Sequence, residues 1–345
     1  MSIYADIEKN YGDFRLTVQF EAEKETLALF GASGCGKSLT LKCIAGIERP
    51  DRGRIELDGR VLFDSEKHIN LSPQERRTGL MFQNYALFPN MTVRQNILAG
   101  ARRSTAKQLL AQRAGEMMKK FGLSELSGHY PAELSGGQQQ RTALARILIS
   151  DPDILLLDEP FSALDSHLRF RLEEELARVI KEFGKTVILV SHDRNEVYGL
   201  ADRIAIMHSG HIEELGTTQK IFTSPMTRNA ALLTGRRNIS PVIKIGEHSL
   251  SASDWNLIFH TVKDTGNAAY ACIAPSDIVH SNETDGIRCR VNGVIEEPSS
   301  FMVLLDTSQG KEPLLWQLPK DDWHRIRSDT VYIELPEEKV ILLER

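Results

Sequence analysis

Four short runs of apolar residues stand out along the first two thirds of the chain. They are Thr26–Phe30, Thr78–Phe82, Ile154–Leu157 and Thr186–Val190. Apolar positions without polar alternation indicate strands that are buried on both faces, as in a parallel sheet. Helical spacing marks other segments: Leu39–Ala45, Ala106–Phe121, Gln139–Ile149 and Leu168–Phe183. Strands that alternate with helices predict an α/β fold with a mostly parallel sheet and helices on its faces.

Other parts of the chain alternate apolar with polar residues and predict half-buried antiparallel strands. The first pair is Ile3–Ile7 and Phe14–Phe20, and two hairpins follow at Arg54–Phe63 and Arg203–Leu215. Residues 84–150 are helical and more polar, which predicts a helical subdomain inserted into the α/β domain.

The pattern changes near Gly235. Beyond it, short alternating runs separated by turn residues predict a small all-β barrel of about 110 residues. These runs are Val242–Ile245, Leu257–Phe259, Ala269–Ile273, Ile287–Ile295, Met302–Leu305, Val331–Leu335 and Val340–Leu343. We therefore expect two domains, 1–234 and 235–345.

Composition narrows the class of protein. Hydrophobic residues make up 41% and charged residues 26%, and the formal charge is −5, so we expect no nucleic-acid partner. Arg102-Arg103 and Arg236-Arg237 are interpreted as solvated surface. Four cysteines without metal-site spacing favour a reducing cytoplasm, and we expect neither a signal peptide nor a membrane span.

Candidate chemistry begins at Gly31-x-x-x-x-Gly36-Lys37-Ser38, between a predicted strand and a predicted helix. This is the pattern of a phosphate-binding loop, whose backbone N–H groups and helix start converge on phosphate oxygens. Lys37 would reach the β- and γ-phosphates, and Ser38 would bind Mg²⁺. The alternative is a glycine-rich turn with a surface lysine.

Polar side chains follow three of the predicted buried strands. Asp158 could hold Mg²⁺, Glu159 could polarise a water, and His192 could donate to a phosphate. Gln83 could bind the metal or the water through its amide oxygen. In isolation each has a plainer interpretation, as loop acids, a structural histidine or an exposed glutamine.

A second anion site is predicted at Leu134-Ser-Gly-Gly-Gln138, where two glycines open a helix beside the Ser135 hydroxyl. One chain thus has two phosphate-binding helix starts. Two copies that pair head to tail would let one nucleotide use both.

Together these motifs resemble the nucleotide-binding subunit of ATP-binding cassette (ABC) transporters, over residues 3 to about 232. In chain order the matching positions are Tyr11, Gly31–Ser38, Gln83, Leu134–Gln138, Asp158-Glu159, Ser162–Asp165 and His192. The resemblance implies a P-loop ABC domain with an antiparallel edge sheet and a helical subdomain. It also implies ATP and Mg²⁺ as cofactors.

The resemblance further implies a role for each matching residue. Tyr11 would stack on adenine, although from spacing alone it could equally plug the sheet edge. Glu159 would be the general base, His192 would touch the γ-phosphate, and Asp165 would help join the two sites of the dimer. The other implied sets are nucleotide binding (Gly31, Ala32, Ser33, Gly34, Cys35, Gly36, Lys37, Ser38, Leu39), Mg²⁺ binding (Ser38, Gln83, Asp158) and contact with the partner's ATP (Ser135, Gly136, Gly137, Gln138).

Two stretches narrow the subclass. Residues 82–93 resemble the segment with which importer ATPases receive their permeases, and residues 59–77 are similar to the ATPase of molybdate importers. The C-terminal part looks like a small OB-like domain of the TOBE/MOP type, with an oligomer-forming and often anion-sensing role. Ala274 stands where that domain usually has arginine before Pro275, which leaves the regulatory ligand open.

We therefore expect a homodimeric ATPase at the cytoplasmic face of the inner membrane, docked on integral-membrane permease subunits and served indirectly by a solute-binding protein. Molybdate or tungstate is the expected cargo, with sulfate/thiosulfate, iron or sugar as alternatives. Two other classes stay open: a soluble cassette ATPase acting on ribosomes or DNA, and an oxyanion sensor.

Overall fold

The computed structural model describes residues 2–101, 107–162, 166–246, 249–260, 265–281 and 286–344. The chain divides into two compact units, Met1–Thr218 and Gln219–Arg345. The predicted border at 234/235 therefore lies later in the chain than the division between the units.

Within its described residues, the first unit has the strands β1 (Ser2–Tyr11), β2 (Phe14–Glu23), β3 (Thr26–Phe30), β4 (Arg52–Leu57), β5 (Arg60–Asp64), β6 (Ile69–Asn70), β7 (Thr78–Met81), β8 (Ile154–Asp158), β9 (Val187–Ser191), β10 (Arg203–His208) and β11 (His211–Thr217). The first unit joins these strands in one sheet in the order β6-β5-β4-β1-β2-β11-β10-β3-β9-β8-β7. Its helices are α1 (Lys37–Ala45), α2 (Pro73–Arg76), α3 (Val93–Ala99), α4 (Lys107–Lys120), α5 (Gly136–Leu148), α6 (Ser166–Phe183) and α7 (Arg194–Leu200).

The parallel part of this sheet consists of β10, β3, β9, β8 and β7. Every residue of β3, β8 and β9 is buried, as their uninterrupted apolar runs predict. Because parallel strands end at the same edge, the residues that follow β3, β7, β8 and β9 are brought together there.

An antiparallel part extends the sheet through β1, β2, β4, β5 and β6. In β2, buried and exposed residues alternate, so one face packs on the core and the other meets solvent. The expected α/β fold with an antiparallel edge and a helical region is confirmed.

The second unit contains two five-stranded antiparallel sheets in its described part. The strands are β12 (Asn238–Gly246), β13 (Ser249–Ala252), β14 (Leu257–His260), β15 (Tyr270–Ile273), β16 (Val279–His280), β17 (Ile287–Glu296), β18 (Ser300–Thr307), β19 (Leu314–Pro319), β20 (Thr330–Glu334) and β21 (Ile341–Leu343). Their orders in the two sheets are β14-β13-β12-β15-β21 and β16-β20-β17-β18-β19. The helices are α8 (Thr218–Thr223), which begins at the last residue of the first unit, α9 (Arg228–Leu233) and α10 (Lys320–Ile326).

The expected small all-β domain is thus present, with its strands divided between two sheets around buried Trp255 and Trp316. Strands β13, β16 and β19 and helices α8, α9 and α10 had not been predicted. Among the described residues, no helix is long and apolar enough to cross a membrane.

Candidate active site

The phosphate-binding loop connects the buried end of β3 to the first residue of α1. Gly36 is the N-cap of α1, with φ 106° and no side-chain cap. A Cβ at this position would lie 2.7 Å from Leu16 Cδ1, so both the backbone angle and the space require glycine. The helix therefore begins without a side chain that could occupy its first N–H groups.

Lys37 is only 4% exposed and folds back over its own loop. Its ammonium donates to Gly31 O at 2.7 Å and to Ala32 O at 2.8 Å. Both acceptors are neutral carbonyls, so the positive charge stays available for an anion at the loop.

Ser38 and Asp158 meet across the carboxyl end of the sheet. Ser38 Oγ donates to Asp158 Oδ1 at 2.7 Å. Burial raises the pKa of Asp158, and the Ser38 hydrogen bond offsets part of this effect. A hydroxyl and a buried carboxylate are oxygen ligands suited to Mg²⁺, and a cation beside Asp158 would favour its ionised form.

Glu159 lies between two polar side chains that the sequence singled out. Gln83 Nε2 donates to Glu159 Oε2 at 3.2 Å, and His192 Nδ1 is 3.2 Å from Glu159 Oε1. The structure thus joins the ends of β7, β8 and β9 in one cluster. Gln83 and His192 are exposed and Glu159 is mostly covered, so the cluster faces solvent through the glutamine and the histidine.

A cleft of about 550 Å³ lies over these groups. Its lining residues are Tyr11, Phe14, Ser33, Gly34, Gly36, Lys37, Ser38, Leu39, Lys42, Glu48, Gln83 and Glu159. Tyr11 ends β1 and is 64% exposed, which places an accessible aromatic ring at the cleft.

Sequence reasoning had not named Phe14, Lys42 or Glu48 as part of the site. Lys42 lies four residues after Ser38, one helical turn along the same face of α1, and this spacing could have identified it. Phe14 pairs with Tyr11 across the β1–β2 turn, a register visible only once the hairpin is known.

The second predicted anion site is the start of α5. Ser135 is the N-cap, its Oγ accepts from Gln138 N at 3.4 Å, and Gln138 Oε1 accepts from Ser135 N at 2.8 Å. This reciprocal capping box makes Gly136 the first helical residue, whereas the apolar spacing had predicted a start at Gln139. A Cβ on Gly137 would lie 3.1 Å from Leu172 Cδ1, so the start of α5 packs closely on α6. Among the described residues that line the cleft, none comes from Ser135–Gln138.

Asp193 and Glu196 have the sequence spacing of a helix N-cap and its N3 partner, which predicts a capping box at the start of α7. Asp193 caps α7 as its spacing predicted, accepting from Asn195 N at 2.7 Å. The expected reciprocal role of Glu196 is not observed, because its buried carboxylate accepts from Ser191 Oγ and pairs with Arg169. Asp165 and the Arg102-Arg103 pair lie outside the described residues.

Comparison with known proteins places this site in context. Residues 15–162 match the family model described as "ABC transporter". The chain is 40% identical over 255 residues to the sulfate/thiosulfate import ATP-binding protein CysA 2 of Chromobacterium violaceum, covering 74% of this chain and 68% of that protein. It is also 40% identical over 282 residues to the spermidine/putrescine import ATP-binding protein PotA of Acidothermus cellulolyticus, covering 79% and 72%.

Solved structures agree with these relatives. The dimeric post-hydrolysis state of the ATP-binding cassette MJ0796, bound to ADP and Pi, superposes with a TM-score of 0.53 at 30% identity. The superposition covers 63% of this chain and 99% of that one.

Proposed function

Because the chain belongs to the ABC transporter family and is an ATPase of the importer type, we propose that it drives solute uptake by hydrolysing ATP at the cleft above α1. The cluster of Lys37, the Ser38–Asp158 pair and Glu159 carries this proposal, since it combines phosphate binding, metal ligands and a base.

In this proposal the nucleotide is held from its base to its last phosphate. Tyr11 stacks on the adenine, the loop from Gly31 to Leu39 holds the phosphates through its N–H groups, and Lys37 exchanges its carbonyl partners for phosphate oxygens. Ser38, Asp158 and Gln83 would hold Mg²⁺. When bound there, this ion supplies charge neutralisation at the β- and γ-phosphate oxygens.

Hydrolysis needs a group that takes a proton from the attacking water, and Glu159 is that group in our proposal. The contacts from Gln83 and His192 to its two carboxylate oxygens restrict the carboxylate's orientation. His192 meets Glu159 through Nδ1, which leaves Nε2 for the γ-phosphate.

The start of α5 has no place in the cleft of its own chain, and this observation supports a head-to-tail homodimer. Ser135, Gly136, Gly137 and Gln138 would complete the site of the partner subunit. Asp165 is proposed to join the two sites. The MJ0796 comparison structure is dimeric, which supports this arrangement.

The test of the ATPase mechanism is Glu159→Gln, which keeps the shape of the side chain and removes the base. We expect kcat to fall by a factor of about 100 or more while ATP still binds. The exposed Glu116→Gln on α4 is the matched control and should hydrolyse ATP at the wild-type rate. Wild-type hydrolysis by Glu159→Gln would show that the base is misassigned.

For the cargo we propose an inorganic oxyanion of the sulfate class, with a polyamine as the second candidate. The CysA relative supports the oxyanion, as does the resemblance of residues 59–77 to the ATPase of molybdate importers, because molybdate is also an oxyanion. The PotA relatives support the polyamine. The narrower expectation of molybdate or tungstate gains no support from these relatives. The test measures uptake of sulfate, molybdate and spermidine in cells with and without the gene, with the other two solutes as competitors. The solute whose uptake depends on the gene is the cargo.

The proposed partners are permease subunits that contact residues 82–93, where Phe88 and Met91 expose apolar surface. Docking on them would place the subunit at the cytoplasmic face of the membrane. Residues 235–345 are proposed to serve oligomerisation or regulation. Co-purification with a hydrophobic permease tests the partner, and isolation only with ribosomes would contradict it.

A further inference from the structure

The carbonyl of Pro160, next to the proposed base, accepts two buried side-chain hydrogen bonds. Tyr85 donates its hydroxyl at 3.3 Å, and Gln140 donates Nε2 at 3.2 Å. Tyr85 lies two residues after Gln83, and Gln140 lies in α5, two residues after Gln138. One carbonyl therefore connects the segment after β7, the α5 helix and the turn after β8.

That turn holds Glu159 in an unusual conformation. Glu159 has φ 46°, in the left-handed region that a non-glycine residue rarely adopts. Its N–H donates to Val190 O at 3.0 Å, and its carbonyl accepts from Ser162 N at 3.2 Å and Ser162 Oγ at 3.0 Å. Such a conformation persists only when its surroundings fix it, and the Pro160 carbonyl is the next peptide oxygen along the chain.

Tyr85 is itself held from α5. Arg146 donates Nη2 to Tyr85 O at 2.8 Å and Nη1 to Ala86 O at 2.7 Å. The tyrosine is 2% exposed, and burial raises its pKa to about 12, so its hydroxyl keeps the proton that it donates. A movement of α5 therefore acts on Tyr85 as well as on Gln140.

The side chain of Gln140 makes one hydrogen bond that is described, the one to the Pro160 carbonyl. It is 1% exposed, and its Oε1 has no hydrogen-bond partner in the described parts of the chain. Turning the amide over would point this oxygen at Pro160 O, so the carbonyl fixes the amide orientation. A buried amide with one unpaired atom is a poor choice for stability alone, because an apolar side chain would fill the same space without an unmet acceptor.

We propose that Tyr85 and Gln140 are positioning residues that set the orientation of Glu159 through the Pro160 carbonyl. In this way the α5 helix, which is capped by Ser135, and the segment that follows Gln83 both control the carboxylate. The inference rests on the proposed role of Glu159 as the base.

The test uses Tyr85→Phe and Gln140→Met, each of which removes a donor and nearly preserves the volume of the side chain. Because a misaligned base slows only the chemical step, we expect kcat to fall about tenfold in each variant. The Kd for ATP, measured by equilibrium titration, should stay within about twofold of wild type, because neither side chain lines the cleft. The unfolding midpoint of Gln140→Met should be unchanged or higher.

Matched controls are Tyr4→Phe, which removes a surface hydroxyl, and Gln112→Met, which removes a surface amide on α4. Both should keep wild-type kcat. The decisive measurement places Tyr85→Phe and Gln140→Met in a Glu159→Gln background and follows residual hydrolysis of radiolabelled ATP over hours. With the base absent, positioning residues should cause no further loss.

The possible outcomes separate the two proposals. Full activity of Glu159→Gln would refute the proposed function itself. Loss of activity in Glu159→Gln with wild-type kcat in Tyr85→Phe and Gln140→Met would overturn the positioning role alone. The same tenfold loss in the Glu159→Gln background would also overturn it, because the two side chains would then act independently of the base.

Discussion

The α1 and α5 helices of the first unit both begin beside glycines, yet their first turns are built differently. The α1 helix begins after Gly36, in a left-handed conformation with no side chain on its first N–H groups. The α5 helix begins after Ser135, in extended conformation, with a capping box in which Ser135 and Gln138 each accept the other's N–H. The start of α1 has no side-chain acceptor on its N–H groups, whereas at the start of α5 side chains accept from the N–H groups of Ser135 and Gln138.

This difference suggests separate roles for the two helix starts, one in binding ATP and the other in completing the partner subunit's site. An anion at α1 gains N–H donors and the Lys37 charge without displacing a side-chain cap. An anion at α5 would compete with the two side chains for the N–H groups of Ser135 and Gln138. We therefore expect α1 to determine how tightly a subunit binds ATP, and α5 to contribute only when the partner's nucleotide is presented to it.

The largest expected effect comes from Lys37→Ala, which removes the charge at the open helix start. ATP affinity should fall by a factor of about 100 or more, since charge-assisted hydrogen bonds to phosphate are lost. Titration with a fluorescent ATP analogue measures this, with the exposed Lys181→Ala on α6 as control. Unchanged affinity would contradict the assignment of binding to α1.

Next in size is the recovery of activity in mixed dimers. Lys37→Ala disables one helix start, and Ser135→Arg would block the other, so each variant alone should be inactive. In an equal mixture half of the dimers are mixed, and each of these has one intact site, which predicts about a quarter of the wild-type rate.

A mixture of two differently tagged Lys37→Ala chains is the control and should stay inactive. If the tags show that dimers have exchanged and activity is still absent, both helix starts belong to the same chain's site, and the head-to-tail arrangement is wrong.

The smallest expected effect is on stability without nucleotide. Ser135→Ala removes a cap and should lower the free energy of unfolding of the first unit by about 1 kcal/mol. Ser33→Ala changes an exposed serine at the other helix start, where no side chain caps the helix, and should leave stability unchanged. Urea denaturation measures the unfolding midpoints of the two variants. Equal midpoints would contradict the conclusion that a side chain caps α5 and none caps α1.

Much of this site was predictable because its signals are local. Each signal occupies only a few consecutive positions: the phosphate loop, the apolar run of β8, and the polar residues after the buried strands. Parallel strands then bring those ends together, which is why Gln83, Glu159 and His192 could be expected near one another.

The Pro160 carbonyl link was not predictable in the same way. Its donors, Tyr85 and Gln140, lie 75 and 20 positions away in the chain. The identity of a tyrosine or a glutamine does not predict which carbonyl will accept its hydrogen bond. Similarly, α10 has only seven residues, too few for a helical period to emerge, although buried Trp323 anchors it to the second unit's core.

The folded-back position of Lys37 has a consequence for selection among small anions. Because its ammonium already has two carbonyl partners and lies 3.8 Å from Cys35 Sγ, binding a phosphate replaces contacts rather than adding them to a bare charge. A free phosphate ion would have to compensate for the lost contacts with a single group, whereas a triphosphate brings several oxygens to the loop together. The loop should therefore bind inorganic phosphate much more weakly than it binds the whole nucleotide.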